Sequence, residues 1–255
     1  VRPILLLGAG RMGGALIEGW LRAHAFPPSD IMVRDPAAPR IASVRVNPPD
    51  AALTEAKTVV LAVKPQVWRE AASAVAGLLA PDAVIVSICA GVRSADIAEV
   101  FHRKVARVMP TTAVAIRQGT ASVFADEAEA RQRAHMLFSP LATVVDLADE
   151  GLMHAATALS GSGPAYLYAF VEALEAAGST AGLSAKAAKL LARSTVTGAA
   201  ALLADSGAEP SELRTQVTSP GGTTQAALEV LMAELPDLMA RAVAAAAKRS
   251  EELGG

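Results

Sequence analysis

The chain has 255 residues, enough for one large domain or two ordinary ones, and its 52% apolar and 19% charged composition supplies a substantial core and excludes a disordered chain. A formal net charge of −2 gives no electrostatic reason to expect nucleic acid or an anionic membrane surface as partner. Cys89 is the only cysteine, which excludes an intrachain disulfide and fits a cytoplasmic location; no apolar run reaches the roughly 18 residues of a membrane span, and no secretory signal is expected because Gly8 interrupts the first apolar stretch.

Ile4 to Leu7 reads as a buried strand, followed by a helix from about Met12 to His24. Further strands are expected at Ile31–Val33, Val59–Val63, Val84–Ile88 and Val105–Met109, with later candidates at Ala121–Phe124 and Thr143–Leu147. Strands separated by helix-length segments imply βαβ units, a parallel sheet and, with right-handed crossovers, a doubly wound α/β fold. The second half shows no comparable strand. Leu152–Leu159 is helical, then Gly161-Ser162-Gly163-Pro164 breaks the chain, and Pro164 suits the first turn of a helix over Ala165–Ala177. Ser184 is a candidate cap for a helix running to about Ala204, Pro210 and Ser211 open a short one, and Thr223 starts a last one that Pro236 is expected to kink or divide. The domain change is placed near Asp149–Gly151, giving a doubly wound domain over residues 1–150 and an all-α domain over 151–255. Abundant alanine and few aromatics (4%) favour closely approaching helices, which a dimer can exploit.

Gly8-Ala9-Gly10-Arg11-Met12-Gly13 has the GxGxxG spacing, directly after a strand and at the opening of a helix. Each glycine has its own task there: a tight turn, close approach of backbone to a pyrophosphate, and close helix–strand packing. The helix N-terminus presents free N–H groups to the phosphates, so this segment reads as the turn of a nicotinamide dinucleotide site. The end of the second strand should select between cofactors, and Arg34-Asp35 is mixed. Arg34 can pair with a 2′-phosphate or stack on adenine; Asp35 can accept from a free 2′-hydroxyl and repels a phosphate.

Three further segments narrow the reading: Leu61-Ala62-Val63-Lys64-Pro65-Gln66, Ala158-Leu159-Ser160-Gly161-Ser162-Gly163-Pro164-Ala165-Tyr166, and Val217-Thr218-Ser219-Pro220-Gly221-Gly222-Thr223-Thr224. With the glycine turn, and in order from Ile4 to about Leu231, they resemble pyrroline-5-carboxylate reductase. The resemblance implies an N-terminal Rossmann domain, a C-terminal helical domain that dimerises and in this family often builds decamers, and an active site between the two domains. It implies reduction of 1-pyrroline-5-carboxylate to L-proline, the last step of proline biosynthesis, by hydride from NADPH, with NADH as alternative. Lys64, with Ala62, Val63 and Pro65, matches the family's cofactor loop, and Ala90-Gly91-Val92 matches a cofactor-contacting turn. Ser219, Gly221, Gly222, Thr223 and Thr224 would hold the substrate: backbone N–H groups receive its carboxylate, and the Thr224 hydroxyl, the catalytic candidate, bonds the ring nitrogen. Glu150 and Thr157 align with residues near the substrate pocket, although Glu150 is equally suited to capping a helix.

Departures from the family pattern fall at Pro49 (with Asn47 close by), Lys57, Thr111, Ala113, His154 and Thr215. Cys89 reads as a small buried residue, Trp20 and Trp68 as packing residues. The histidines show no metal spacing, so no metal is expected. Two alternatives stay open: a related imine or β-hydroxyacid reductase, for which Lys186 and Lys189 are candidate catalytic lysines by type alone, and a non-catalytic cofactor-binding regulator.

Overall fold

The computed structural model describes residues 1–254, and the chain divides into two compact units: Val1–Gly161 together with the last residues from Ala246, and Ser162–Ala245. The first unit is built on one eight-stranded sheet. In chain order its elements are β1 (Ile4–Leu7), α1 (Arg11–Arg22), β2 (Ile31–Arg34), β3 (Arg45–Val46), β4 (Thr58–Leu61), α2 (Trp68–Ala76), β5 (Val84–Ser87), α3 (Ser94–Phe101), β6 (Val105–Pro110), β7 (Gly119–Phe124), α4 (Ala128–Phe138), β8 (Ala142–Asp146) and α5 (Leu152–Ala156), which runs into a π-helical turn over Thr157–Gly161. Across the sheet the order is β3-β2-β1-β4-β5-β6-β7-β8. The chain therefore reverses direction across the sheet between β1 and β4, which leaves a crevice at their carboxyl ends, the place where open α/β sheets bind ligands.

The first six strands run parallel, but β7 is antiparallel to β6, and β8 runs parallel to β7. The parallel order expected from the βαβ units is interrupted at this one step, for a reason of length. Residues 111–118 are too few for the crossover of about a dozen residues that a parallel return needs, whereas α4 supplies one between β7 and β8. The short β3 was not expected either; the loop before it carries Pro36 and Pro39 and no helix.

All four residues of β1 are buried because both faces of the sheet are covered. Ile4, Leu6, Ile31, Val33, Val60 and Val86 pack with Leu16, Ile17 and Trp20 of α1 and with Leu137 and Phe138 of α4. Leu5, Leu7, Met32, Val59, Leu61 and Ile85 turn to the other face, against Trp68, Ala72 and Val75 of α2 and Ile97 and Phe101 of α3. The period-two alternation of each strand is thus shared between two cores.

The second unit consists of α6 (Gly163–Thr180), α7 (Ala185–Ser206), α8 (Pro210–Gln216) and most of α9 (Thr223–Gly254). Ser184 caps α7, accepting the Ala187 N–H at 3.3 Å, and Gly207 ends it in the left-handed conformation. Glu209 and Glu212 form a reciprocal capping box at the start of α8. Pro236 does not divide α9: the helix is continuous through it, although proline has no N–H to give the carbonyl one turn back. Ala188 and Ala192 are the only buried residues among the described residues of this unit. Leu167, Phe170, Leu190, Leu203, Val230 and Leu238 are exposed, Val230 by 71%. Helices that bury two alanines and expose this much apolar surface call for a partner.

Trp20 is wholly buried, donates its indole N–H to the Leu137 carbonyl at 2.9 Å, and meets Phe26 edge to face. It thereby joins α1 to α4. Trp20→Phe should lower the unfolding free energy by about 1–3 kcal/mol, because it strands a buried carbonyl; urea unfolding with an unchanged midpoint would contradict this.

Candidate functional site

The crevice begins where β1 gives way to the glycine turn. Gly8 has φ +95°, and a Cβ on it would lie 2.9 Å from the Ala62 carbonyl oxygen. A Cβ on Gly13 would lie 2.2 Å from the Gly8 carbonyl oxygen, so α1 can seat against β1 only with glycine there. Gly10 is different: a Cβ there would meet nothing within 4 Å. It lines the open cleft and caps α1 without a side chain. The first helical bond runs from the Gly14 N–H to the Gly10 carbonyl at 2.8 Å, so the N–H groups of Arg11, Met12 and Gly13 precede the helical ladder and are available to an anion.

The cleft has a volume of about 540 Å³ and is lined by Leu7, Gly8, Gly10, Arg34, Asp35, Pro36, Ala62, Val63 and Lys64, with Val67, Glu70, Ala71, Ala74 and Val75 from the α2 side. It thus collects the glycine turn, the selector pair and the loop after β4. Ala9, Arg11, Met12, Gly13, Pro65, Ala90, Gly91 and Val92 are not in its lining. Gly13 is occupied with packing. Val92 turns its side chain into the core, while Ala90 is exposed and Gly91 makes the turn at φ +76°. An open cradle at Gly10, helix-terminal donors and a long apolar wall suit a dinucleotide.

The selector residues are both held. One Asp35 carboxylate oxygen accepts the Ala9 N–H at 2.7 Å and the other the Ala37 N–H at 2.8 Å. The Arg34 guanidinium donates to the Pro48 carbonyl at 2.7 Å and pairs with Asp50. Asn47, at φ +48°, accepts the Asp35 N–H at 3.0 Å and donates its amide to the Asp35 carbonyl at 2.9 Å. Asp50 was missed in the sequence, and Asn47 was noted only as a neighbour of the Pro49 departure, although asparagine is a residue that tolerates the left-handed conformation.

The loops after β4 and β5 are joined to each other. The Ile88 N–H reaches the Leu61 carbonyl at 3.0 Å, and the Cys89 thiol donates to the Val63 carbonyl at 3.2 Å. Burial pushes the Cys89 thiol up to about 11, so it is a neutral donor rather than a nucleophile.

Glu150 stands apart from the cleft lining. Its carboxylate accepts the Ser94 N–H at 2.7 Å, the Ser94 hydroxyl at 3.0 Å and the Arg107 guanidinium at 2.9 Å. Arg107 projects from the middle of β6 with 4% of its side chain exposed. Burial opposes ionisation of Glu150, yet the Ser94 N–H, Arg107 and the Ser94 hydroxyl together outweigh it and hold the carboxyl below its usual range. Any substrate contact by Glu150 would compete with these partners. Arg107 was not singled out in the sequence, though an arginine inside the apolar run Val105–Met109 is itself a signal that a buried counter-charge exists. Thr157, on the π-turn, back-bonds to the Met153 carbonyl at 2.7 Å.

In the helical unit, Ser219–Gly222 turns into α9. Gly221 has φ +71° and gives its N–H to the Gln225 side chain at 2.8 Å; the Gly222 N–H goes to the Ser219 carbonyl at 3.0 Å. The expectation that Gly221, Gly222 and Thr223 would together receive a carboxylate is therefore narrowed. The first bond of α9, from Ala226 N–H to Gly222 carbonyl, leaves Thr223 and Thr224 as first-turn donors. Thr224 is half-buried and Ser219 and Thr223 are exposed.

At the departures from the family pattern, Lys57 pairs with Asp82 at 2.7 Å, buried Thr111 accepts the Thr120 N–H at 3.1 Å, and His154 lies 3.0 Å from the Ser250 hydroxyl. Among the described residues, no group of three His, Cys, Asp or Glu side chains could hold a metal ion, and no helix is long and apolar enough to cross a membrane.

Residues 150–253 match a family model described as pyrroline-5-carboxylate reductase dimerisation, and residues 3–91 match one described as NADP oxidoreductase, coenzyme F420-dependent. Pyrroline-5-carboxylate reductase of Pseudomonas aeruginosa is 38% identical over 98% of this chain and 96% of its own, and that of Pisum sativum 35% identical over 97% and 94%. Among solved structures, a pyrroline-5-carboxylate reductase from Coxiella burnetii superposes with a TM-score of 0.90 at 29% identity, covering 100% of this chain and 99% of the other. Pyrroline carboxylate reductase from Plasmodium falciparum, solved with NADP bound, gives 0.84 at 25% identity, covering 99% and 98%.

Because the native carboxyl of Glu150 titrates below its unfolded value of about 4.3, its stabilisation is complete above that pH and is lost as pH falls through the native value. Acidification from about pH 5 to about pH 3 should therefore lower the melting temperature more in the wild type than in Glu150→Gln. Parallel acid profiles in calorimetry would show that the pair does not supply this stability.

Proposed function

The chain belongs to the pyrroline-5-carboxylate reductase family, and from that premise we propose that it reduces 1-pyrroline-5-carboxylate to L-proline with NADPH, NADH serving as alternative, as the last step of proline biosynthesis. The nucleotide domain binds NAD(P). The observation that supports the substrate proposal is the Ser219–Thr224 loop, which turns through Gly221 at φ +71° into a helix start that leaves Thr223 and Thr224 as first-turn donors.

The reduced nicotinamide, when bound, supplies the hydride. The rest is positioning and electrostatics by this chain. The N–H groups of Arg11, Met12 and Gly13 hold the pyrophosphate, Arg34 faces the 2′-phosphate after giving up its exposed partner Asp50, and Lys64 with Ala62, Val63 and Pro65 contacts the ribose and nicotinamide side. Ala90, Gly91 and Val92 supply a second backbone wall. Ser219, Gly221, Gly222 and Thr223 shape the carboxylate site, and the Thr224 hydroxyl hydrogen-bonds the ring nitrogen. A threonine is a poor acid, so the proton that makes the imine an iminium comes from solvent. Thr157 forms part of the pocket wall.

The family's dimerisation domain and the exposed leucines of the helical unit support a homodimer. We propose further assembly of dimers into a decamer, read by light scattering, and a cytoplasmic location, which a single buried neutral thiol suits.

The test is nicotinamide oxidation by the purified protein with a panel of cyclic imines and keto acids. Turnover of another acid but not of pyrroline-5-carboxylate overturns the substrate, and cofactor binding without any turnover points to a regulator. Thr224→Ala should lower kcat on the order of a hundredfold while changing cofactor affinity little; unchanged kinetics would remove Thr224 from the site. Arg34→Ala should weaken NADPH about tenfold and NADH less, since it removes a charge-assisted bond to the 2′-phosphate. Equal losses would mean that Arg34 does not read that group.

A further inference from the structure

The segment from Ile88 to Arg93 joins β5 to α3 and carries the Ala90-Gly91-Val92 turn. It is fastened at both ends, by different means. At its start, the Ile88 N–H ties it to the Leu61 carbonyl at the end of β4 and the Cys89 thiol to the Val63 carbonyl of the loop that follows. At its far end α3 has no local cap: the N-cap residue is Arg93, whose side chain bonds Asp96 and makes no capping bond. The first N–H of α3, that of Ser94, is received instead by Glu150, 56 residues further along the chain. A neutral acceptor would satisfy that N–H and the Ser94 hydroxyl. The charge on Glu150 answers to Arg107, whose guanidinium is taken out of water on a strand paired on both sides, with β5 and with β7. A buried guanidinium needs a counter-charge, and among the described residues the carboxylate paired with it is the one that caps α3.

We infer that Arg107 and Glu150 form a clasp that fixes the Ala90–Val92 turn from outside, so that Glu150 is a positioning residue acting on the cofactor through Ser94 rather than a group that touches the substrate. The inference rests on the proposed contact between that turn and the dinucleotide. The strand supplies the reference: the Arg107 backbone is held by sheet pairing on both sides and its side chain by burial, Glu150 pairs with Arg107, and Ser94 bonds Glu150. The turn is thereby held at a set height beside the loop that carries Lys64.

The experiment compares wild type with Glu150→Gln, Ser94→Ala, Arg107→Lys and Arg107→Met, reading the dissociation constants of NADPH and NADH by nicotinamide fluorescence, without turnover, together with the KM for pyrroline-5-carboxylate. Glu150→Gln keeps an acceptor for Ser94 and loses the charge, so the cofactor dissociation constant should rise on the order of tenfold with the imine KM changed less than about twofold. Ser94→Ala, which leaves the Arg107–Glu150 pair in place, should show a smaller rise of about threefold and keeps the test open if Glu150→Gln folds poorly. Arg107→Lys should recover part of what Arg107→Met loses. Unchanged cofactor affinity in Glu150→Gln and Ser94→Ala, or a raised imine KM alone, overturns the clasp and returns Glu150 to the substrate pocket. Failure of the wild type to bind dinucleotide would instead overturn the proposed function, so the two failures are distinguishable.

Discussion

The architecture of the first unit depends on one close approach, that of α1 to the end of β1 at Gly13 and Gly8. No side chain fits where a Cβ on residue 13 would come within 2.2 Å of a backbone oxygen. With glycine there, the helix axis settles low over the sheet, and Leu16, Ile17 and Trp20 are pressed into the core shared with α4. The same seating aims the free N–H groups of the first turn at the crevice between β1 and β4. Packing and ligand recognition are therefore consequences of a single steric fact. A looser helix would leave a cavity under Trp20 and would also carry its donors away from the place where phosphates arrive.

Much of this was legible because strand, glycine turn and helix are contiguous and each obeys a local rule. Ile4–Leu7 is apolar throughout because it is covered twice, and Ser184 announces its helix by chemistry that acts within one turn. What was illegible depends on partners far along the chain. The two residues of β3 pair only because β2 is already there. The reversal at β7 is set by the length of the preceding loop rather than by any residue in the strand. The same division runs through the candidate site. Asp35 was visible as a selector, but its engagement with Ala9 depends on a turn 26 positions earlier. Arg107 interrupts an apolar strand without declaring a role, and its meaning lies in Glu150.

The two units make different demands on the sequence. The first carries two apolar cores, one on each side of its sheet, and satisfies its buried charge internally. The second has helices of 18 and 22 residues in α6 and α7 yet buries only alanines between them. Small residues let helices approach, but alanine brings little apolar area with it, so the stabilisation such helices need must come from the leucines left outside. In a dimerisation domain built this way, association adds to the stability of the fold, which then depends on protein concentration.

The placement of the two tryptophans has an optical consequence. Trp20 sits in the core on one face of the sheet and Trp68 on the other, at the start of the helix that borders the cleft, and the helical unit contains none. Indole emission is thus a report from the nucleotide-binding unit alone, and Trp68 follows directly on Val67 of the cleft wall. Separation of two chains, or melting of the helices that join them, passes unseen by that probe and must be followed by circular dichroism or by mass.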